Sequence, residues 1–265
     1  MSMRAVLLAA GLGTRLRPLT DRLPKCLAPI KGRPLLGYWL RMLSAGGVKP
    51  TLINTHHHAP LVEYYIRNGE WRHDIVIAHE PELLGTGGTV LANREFVGYG
   101  PVLIAHADNL TVFDIDTFIR SHALRPKGTS MTMMTFTTPA PSTCGIVTTD
   151  AQGVLTGFFE KVANPPGNHA NAAVYILEGE VVEFMCGLGK HFMDISTEVL
   201  PHFVGKSSTW HNTTYHRDIG TLQSWRQAQL DFPEVDAPLP DAAWEGVLNL
   251  MGGDSRQFIT DLLAE

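Results

Sequence analysis

The chain has 265 residues, 44% apolar and 18% charged, with a mean hydropathy of +0.00. That composition belongs to a soluble globular protein, one large α/β domain or two small ones, and excludes disordered, collagen-like and coiled-coil classes. The formal charge of −5 argues against nucleic acid as a partner, but residues 231–265 alone carry −7 and leave +2 on the first 230, which suits an anionic ligand. Cys26, Cys144 and Cys186 lie far apart and form neither a metal pattern nor a disulfide framework, which fits a reducing cytoplasm. The apolar run Ala5–Ala10 is too short for a secretion signal, and no stretch approaches the ~20 apolar residues of a membrane span, so no membrane partner is expected.

In chain order, Arg4–Ala9 reads as a buried strand and Pro34–Ala45 as a helix with Leu36, Leu40 and Leu43 on one face, stopped by Gly46-Gly47. Strand Thr51–Asn54, helix Leu61–Arg67, strand Asp74–Ala78, helix Thr89–Phe96 and strand Pro101–Ala105 follow. Asp114 caps a helix ending near Ala123, and Ser130–Thr135 is a further strand. This alternation predicts right-handed crossovers and a Rossmann-like, mostly parallel sheet with helices on both faces. After Pro139 the short strands Gly145–Thr149, Val154–Glu160 and Ala172–Leu177, with a loop over Ala163–Asn171, predict a small antiparallel annex. Leu222–Gln229 reads as a helix and Phe232–Pro240 as a linker. Trp244, Val247, Leu248 and Met251 then recur at helical spacing, Gly252-Gly253 breaks the pattern, and Phe258–Leu263 forms a second short helix. The expected organisation is one domain over 1–230, divided near 138/139, and an acidic helical tail over 231–265 that covers the domain's own surface or makes a homodimer contact.

The strongest chemical signal is Gly11-Leu12-Gly13-Thr14-Arg15-Leu16-Arg17-Pro18-Leu19-Thr20, followed by Pro24-Lys25. Glycines after a buried strand let backbone N–H groups cradle phosphate oxygens, and Arg15 and Lys25 add positive charge for a phosphoryl group under attack. Leu16 stands where a dinucleotide fingerprint needs its third glycine, and no G-K-[ST] follows, so neither a Rossmann nor a Walker A loop is present. The run His56-His57-His58 has no second cluster at zinc-ligand spacing and reads as a polar loop.

The glycine-rich run resembles the signature of the sugar-1-phosphate nucleotidylyltransferases. The resemblance continues through Glu80-Pro81-Glu82-Leu83-Leu84-Gly85-Thr86-Gly87-Gly88, Asp108, Cys144-Gly145, Phe159-Glu160-Lys161, Asn171-Ala172-Ala173-Val174-Tyr175 and Asp218-Ile219-Gly220-Thr221, and so covers roughly residues 3–230. It looks closest to the short branch of mannose- and heptose-1-phosphate guanylyltransferases.

The resemblance implies transfer of a nucleoside monophosphate, GMP first, from a nucleoside triphosphate to a sugar-1-phosphate, with Mg²⁺ as cofactor. It implies a nucleotide half over about 1–138 and a sugar-phosphate half over about 139–230. Arg15 and Lys25 would be catalytic, and Asp108 and Asp218 would hold the metal, the alternatives being an Asx turn and a helix cap. Leu8, Ala10, Gly11, Gly13, Thr14, Glu80 and Gly85 would contact the nucleotide, and Gly145, Glu160, Lys161 and Asn171 the sugar phosphate. Glu160 and Lys161 taken alone would be a surface ion pair. Where the family has Gly before the aspartate, Pro after Glu-Lys and often Gly after Asn-Ala, this chain has Ala107, Val162 and Ala173. Uridylyl or cytidylyl transfer to an amino-sugar phosphate or phosphocholine, and a non-catalytic nucleotide-sugar-binding homologue, remain the alternatives.

Overall fold

The computed structural model describes residues 3–233 and 241–264. The linker expected over Phe232–Pro240 therefore lies, beyond residue 233, outside the described residues. The strands are β1 (Arg4–Leu8), β2 (Pro29–Ile30), β3 (Arg33–Pro34), β4 (Thr51–Thr55), β5 (Ile75–His79), β6 (Val102–His106), β7 (Asn109–Val112), β8 (Met131–Thr137), β9 (Gly145–Thr149), β10 (Leu155–Glu160), β11 (His169–Leu177), β12 (Ser207–His211) and β13 (Tyr215–Asp218). The α-helices are α1 (Leu35–Ala45), α2 (Ala59–Asn68), α3 (Gly85–Ala92), α4 (Arg94–Val97), α5 (Ile115–Ala123), α6 (Gly179–Gly187), α7 (Leu222–Asp231), α8 (Ala242–Met251) and α9 (Ser255–Ala264). The class is α/β: the central sheet is mixed and mostly parallel, with helices and small antiparallel ladders. None of the described helices is long and apolar enough to cross a membrane.

The described residues fall into two compact units that interleave along the chain. One comprises Met1–Val6, Leu84–His106 and Val112–His216. Its strands run β10-β9-β11-β6, with β8 beside β11 and β12 beside β8. β9 pairs antiparallel with β10 and β11, β11 antiparallel with β6 and β8, and β12 parallel with β8. Leu103, Ile104, Ala105, Val174, Ile176 and Leu177 are fully buried, which explains why these strands read as continuous apolar runs rather than alternating ones. The loop expected over Ala163–Asn171 ends early, because β8 imposes extended pairing from His169 onward. The helix expected over Thr89–Phe96 starts at Gly85 and breaks at Asn93, where φ is −112°.

The other unit comprises Leu7–Leu83, Ala107–Thr111 and Arg217–Glu265. Here β4 and β5 pair in parallel, Ile53 opposite Ile77. Leu36, Leu40 and Leu43 of α1 are buried as their spacing predicts, and the Trp39 indole donates to the Asn109 carbonyl at 2.9 Å. The β2–β3 hairpin turns at Lys31 and Gly32, whose φ values of 45° and 81° give a left-handed pair that matches strand twist. Trp225 of α7 is fully buried and donates to the Pro29 carbonyl at 2.8 Å.

Candidate active site

After β1 the chain coils through three short 3₁₀ turns, Thr14–Leu16, Leu19–Asp21 and Lys25–Leu27. Leu16, Leu19, Leu23 and Leu27 are fully buried and anchor the coil, while Gly11, Leu12, Thr14 and Arg15 face solvent. A side chain at Gly11 would meet nothing within 4 Å, so that glycine serves no internal packing. Gly13 is different: its φ is 63° and a Cβ there would come within 2.8 Å of Thr20 Cγ2. The Thr20 hydroxyl donates to the Gly13 carbonyl at 2.8 Å and closes the loop.

Lys25 stands at the end of this loop, 6% exposed. Its ammonium donates to Asp108 Oδ2 and to Asp218 Oδ1, each at 2.9 Å. Arg15 Nη2 lies 3.8 Å from Asp218 Oδ2, with its side chain 73% exposed. Asp108 directly precedes β7 and Asp218 ends β13, the strand paired with β7, so one ladder brings together carboxylates 110 positions apart in sequence. Gly220 leaves room for Asp218: a Cβ would meet its carboxylate at 2.8 Å. Ala107 accommodates its methyl fully buried while its N–H donates to the Leu8 carbonyl at 3.0 Å. Burial disfavours the Lys25 ammonium, but the charges and hydrogen bonds of the two aspartates outweigh it and hold the pKa above its ordinary value. The neighbouring Cys26 thiol is pushed up to about 12 by burial and by the Asp108 charge, so it stays protonated.

Among the described residues no group of three or more His, Cys, Asp or Glu is placed to hold a metal. Two carboxylates suffice for a hard cation such as Mg²⁺, which keeps waters and takes the rest of its shell from substrate phosphates. The donor set fits, since Asp108 and Asp218 already converge on one positive charge.

Leu8, Ala10 and Glu80 belong to the same unit. Glu80 is 4% exposed, and its Oε1 accepts from Asn54 Nδ2 at 3.0 Å. Asn54 Oδ1 accepts the Ala9 N–H at 2.6 Å, so one buried amide ties the end of β1 to the Glu80 carboxylate. His56 Nδ1 donates to the Glu80 carbonyl at 2.8 Å, and His57 Nε2 to the Thr20 carbonyl at 2.8 Å. Sequence reasoning missed these roles for Asn54, His56 and His57. The available signal was Asn54, a polar residue inside a strand buried throughout.

Gly85 and the sugar-phosphate candidates belong to the other unit. Gly85 has φ 74°, and a Cβ there would meet the Met193 carbonyl oxygen at 2.5 Å. Gly145 and Glu160 are direct cross-strand partners on β9 and β10. A Cβ at Gly145 would lie 2.5 Å from Glu160 Oε2, so the carboxylate lies across the ladder in the space a side chain at 145 would take. Lys161, at φ 49°, places its ammonium 3.2 Å from Glu160 Oε1 and remains 65% exposed. Asn171 spends its amide on its own strand: Nδ2 donates to the Tyr175 hydroxyl at 2.7 Å, and Oδ1 accepts the Ala173 N–H at 2.9 Å. That bond closes a bulge in which Ala173 has φ 54°, at the position where the family often has glycine.

A cavity of about 540 Å³ lined by Arg33, Arg41, Trp71 and Asp241 contains none of these residues. The family model described as "Nucleotidyl transferase" matches residues 4–234. The UTP–glucose-1-phosphate uridylyltransferase of Synechocystis is 30% identical over 246 residues, covering 85% of this chain and 62% of that protein. The mannose-1-phosphate guanylyltransferase of Mycobacterium tuberculosis is 27% identical over 241 residues, covering 89% and 66%. The chain thus spans 62–66% of the length of these curated relatives. A Bacillus anthracis structure, provisionally described as a glucose-1-phosphate thymidylyltransferase and solved with sucrose, superposes with a TM-score of 0.80 at 17% identity, over 92% of this chain and 99% of that one, and shows the shared fold. With a signature loop, its lysine and the family model matched across 4–234, the chain belongs to the nucleotidyl transferase family.

Proposed function

We propose that the protein transfers a nucleoside monophosphate from a nucleoside triphosphate to a sugar-1-phosphate, releasing pyrophosphate. The observation that carries this reading is the convergence of Lys25, Asp108, Asp218 and Arg15 beside the glycine-rich loop. Both substrates are polyanions, so the obstacle is mutual repulsion, and catalysis rests on positive charge and alignment. Lys25 keeps its proton and offers it to phosphate oxygens, while the exposed Arg15 guanidinium is free to follow the transferred phosphoryl group. Asp108 and Asp218 would hold Mg²⁺, which when bound neutralises phosphate charge and polarises the phosphorus under attack. No general base is needed, because the attacking sugar-phosphate oxygen is already ionised. Gly145, Glu160 and Lys161 receive the sugar phosphate, Lys161 as the cation for the phosphate and Glu160 as acceptor for sugar hydroxyls, while Asn171, its amide engaged by Tyr175 and Ala173, shapes the bulge of its own strand.

The finer reading is GTP with a mannose- or heptose-type acceptor. A carboxylate such as Glu80 can accept from both N1–H and the exocyclic amine of guanine, whereas uracil offers one donor on that edge. UTP is the second reading, favoured by the similarity to the Synechocystis uridylyltransferase. Pyrophosphate release from each of four nucleoside triphosphates against a panel of sugar-1-phosphates decides between them. GTP with a mannose or heptose phosphate is expected to react fastest, and no release from any pair in the presence of Mg²⁺ would overturn the reading.

A further inference from the structure

The C-terminal helices lie beyond the matched residues 4–234, yet they meet the segment of the signature loop through the Arg22 side chain. Arg22 stands two residues after Thr20, which closes the loop onto Gly13, and three before Lys25. Its Nη2 donates to Asp254 Oδ1 at 2.6 Å and to the Met251 carbonyl at 3.1 Å, and its Nη1 donates to Asp254 Oδ2 at 3.0 Å. Its guanidinium carbon also lies 4.6 Å from the Phe258 ring centroid. A planar cation is thus held by a bidentate carboxylate, by a carbonyl at the negative end of α8 and by an aromatic face on α9. Gly252, with φ 110°, makes the turn that puts Met251 and Asp254 on the same guanidinium.

The brace is itself anchored. Trp244, Val247 and Leu248 of α8 are buried, Asp241 caps α8 and accepts the Tyr65 hydroxyl of α2 at 2.9 Å, and the Ser255 hydroxyl donates to the Leu248 carbonyl at 2.9 Å. Arg226 of α7 donates to the Leu262 carbonyl of α9 at 2.6 Å, so the tail also grips the helix that follows Asp218. A lone exposed ion pair would contribute little, and the Asp254 side chain is 72% exposed. Three different partners on one guanidinium restrain it far more than one pair would.

We propose that the α8–α9 hairpin braces the nucleotide-binding loop, with Arg22 as a positioning residue through which Asp254 and Phe258 keep Gly13 and Lys25 preorganised for a triphosphate. This rests on the nucleotide-binding reading of that loop. The test uses the full chain with R22A, D254A, F258L and the double variant R22A/D254A. Three quantities are read: amide hydrogen exchange over residues 12–28, nucleoside triphosphate affinity by calorimetry without sugar phosphate, and KM for each substrate. Each single variant is expected to speed exchange in that loop and weaken triphosphate binding roughly 3- to 20-fold. KM for the sugar phosphate should stay within about 2-fold, and the double variant should be no worse than the worse single. Unchanged loop exchange and triphosphate affinity, additive losses, or equal rises in both KM values with faster exchange throughout the protein would each overturn the brace. If the wild type binds triphosphate but releases no pyrophosphate from any pair, the transferase reading fails while exchange and affinity still judge the brace. A wild type that binds no triphosphate sinks both.

Discussion

Lys25 is the residue on which the site turns. Burying an ammonium is costly, and two carboxylates at 2.9 Å are what keep it charged. Because its folded pKa is raised, this contribution to stability is complete below about 10.5 and is lost only as pH rises through the higher folded value, well outside neutral conditions. Asp108→Asn removes a proposed metal ligand and one of the two charges facing Lys25. Pyrophosphate release is expected to fall about a hundredfold or more with the circular dichroism spectrum unchanged, and near-normal turnover would remove the metal assignment. His122 gives a pH dependence of the opposite sign. It is 3% exposed, its Nδ1 shares a 2.8 Å hydrogen bond with the Thr132 hydroxyl, and Nε2 lies 3.3 Å from Glu178, unaligned for a bond. Burial and then the Arg125 charge lower its pKa to about 4, with Glu178 pulling back only in part. The unfolded chain therefore binds the extra proton, and stability should drop by order 1–3 kcal/mol as pH falls from 6.5 towards 4. Denaturant midpoints across that range should flatten in His122→Gln. Arg15 and Lys25 were named by the loop motif, whereas Asp108 and Asp218, 83 and 193 positions beyond Lys25, were named by the family resemblance. Asn54 left one trace, a polar residue in a buried strand, while nothing local says which carbonyls His56 and His57 will meet.

Helix α3 shows how an element can hide its own boundary. The run Gly85-Thr86-Gly87-Gly88 lies before the helix expected over Thr89–Phe96, yet it forms the helix's first turn, with the backbone of His191 and Met193 packed directly against it. Gly87 and Gly88 both donate to the Met193 carbonyl, at 2.8 and 3.3 Å, and a Cβ on Gly88 would meet the His191 carbonyl oxygen at 2.5 Å. Gly88→Ala should gain about 1 kcal/mol of helix propensity and lose about 1–3 kcal/mol to overpacking against a backbone atom. A net loss of stability in urea unfolding is expected, and a gain would show that the 191–194 segment yields freely. The same logic explains two of the strands that were missed. Ser207–His211 and Tyr215–Asp218 lack an apolar alternation and exist because β8 and β7 offer them paired edges. The periodic helices α1, α5 and α8 were visible because their buried faces recur at helical spacing, and Asp114 and Asp241 cap two of them by accepting the N–H of Thr117 and Trp244 at 3.0 Å.

At the scale of the whole chain, the charge of −5 conceals a +2 segment matched to the family and a −7 segment that is largely outside it. Part of that acidic tail is occupied: Asp241 caps α8, and Asp254 holds Arg22. The proposed reaction joins two polyanions and assigns two carboxylates to the metal, so turnover should depend on added divalent cation. Chelation with EDTA is expected to abolish pyrophosphate release and Mg²⁺ to restore it, with little change in melting temperature. Activity that survives exhaustive chelation would leave Lys25, Arg15 and Lys161 as the electrostatic machinery. By itself the sequence determined the α/β class, the family, the loop and the identities of its charged residues, because periodicity and contiguous motifs are local properties of a chain. Only the tertiary structure decided that Lys25 bridges Asp108 and Asp218, 83 and 193 positions away, and that Asp254, 232 positions from Arg22, holds the loop's far end. Such pairings are set by which strand edges and helix faces remain to be satisfied once the core has formed, and a single sequence carries no local trace of them.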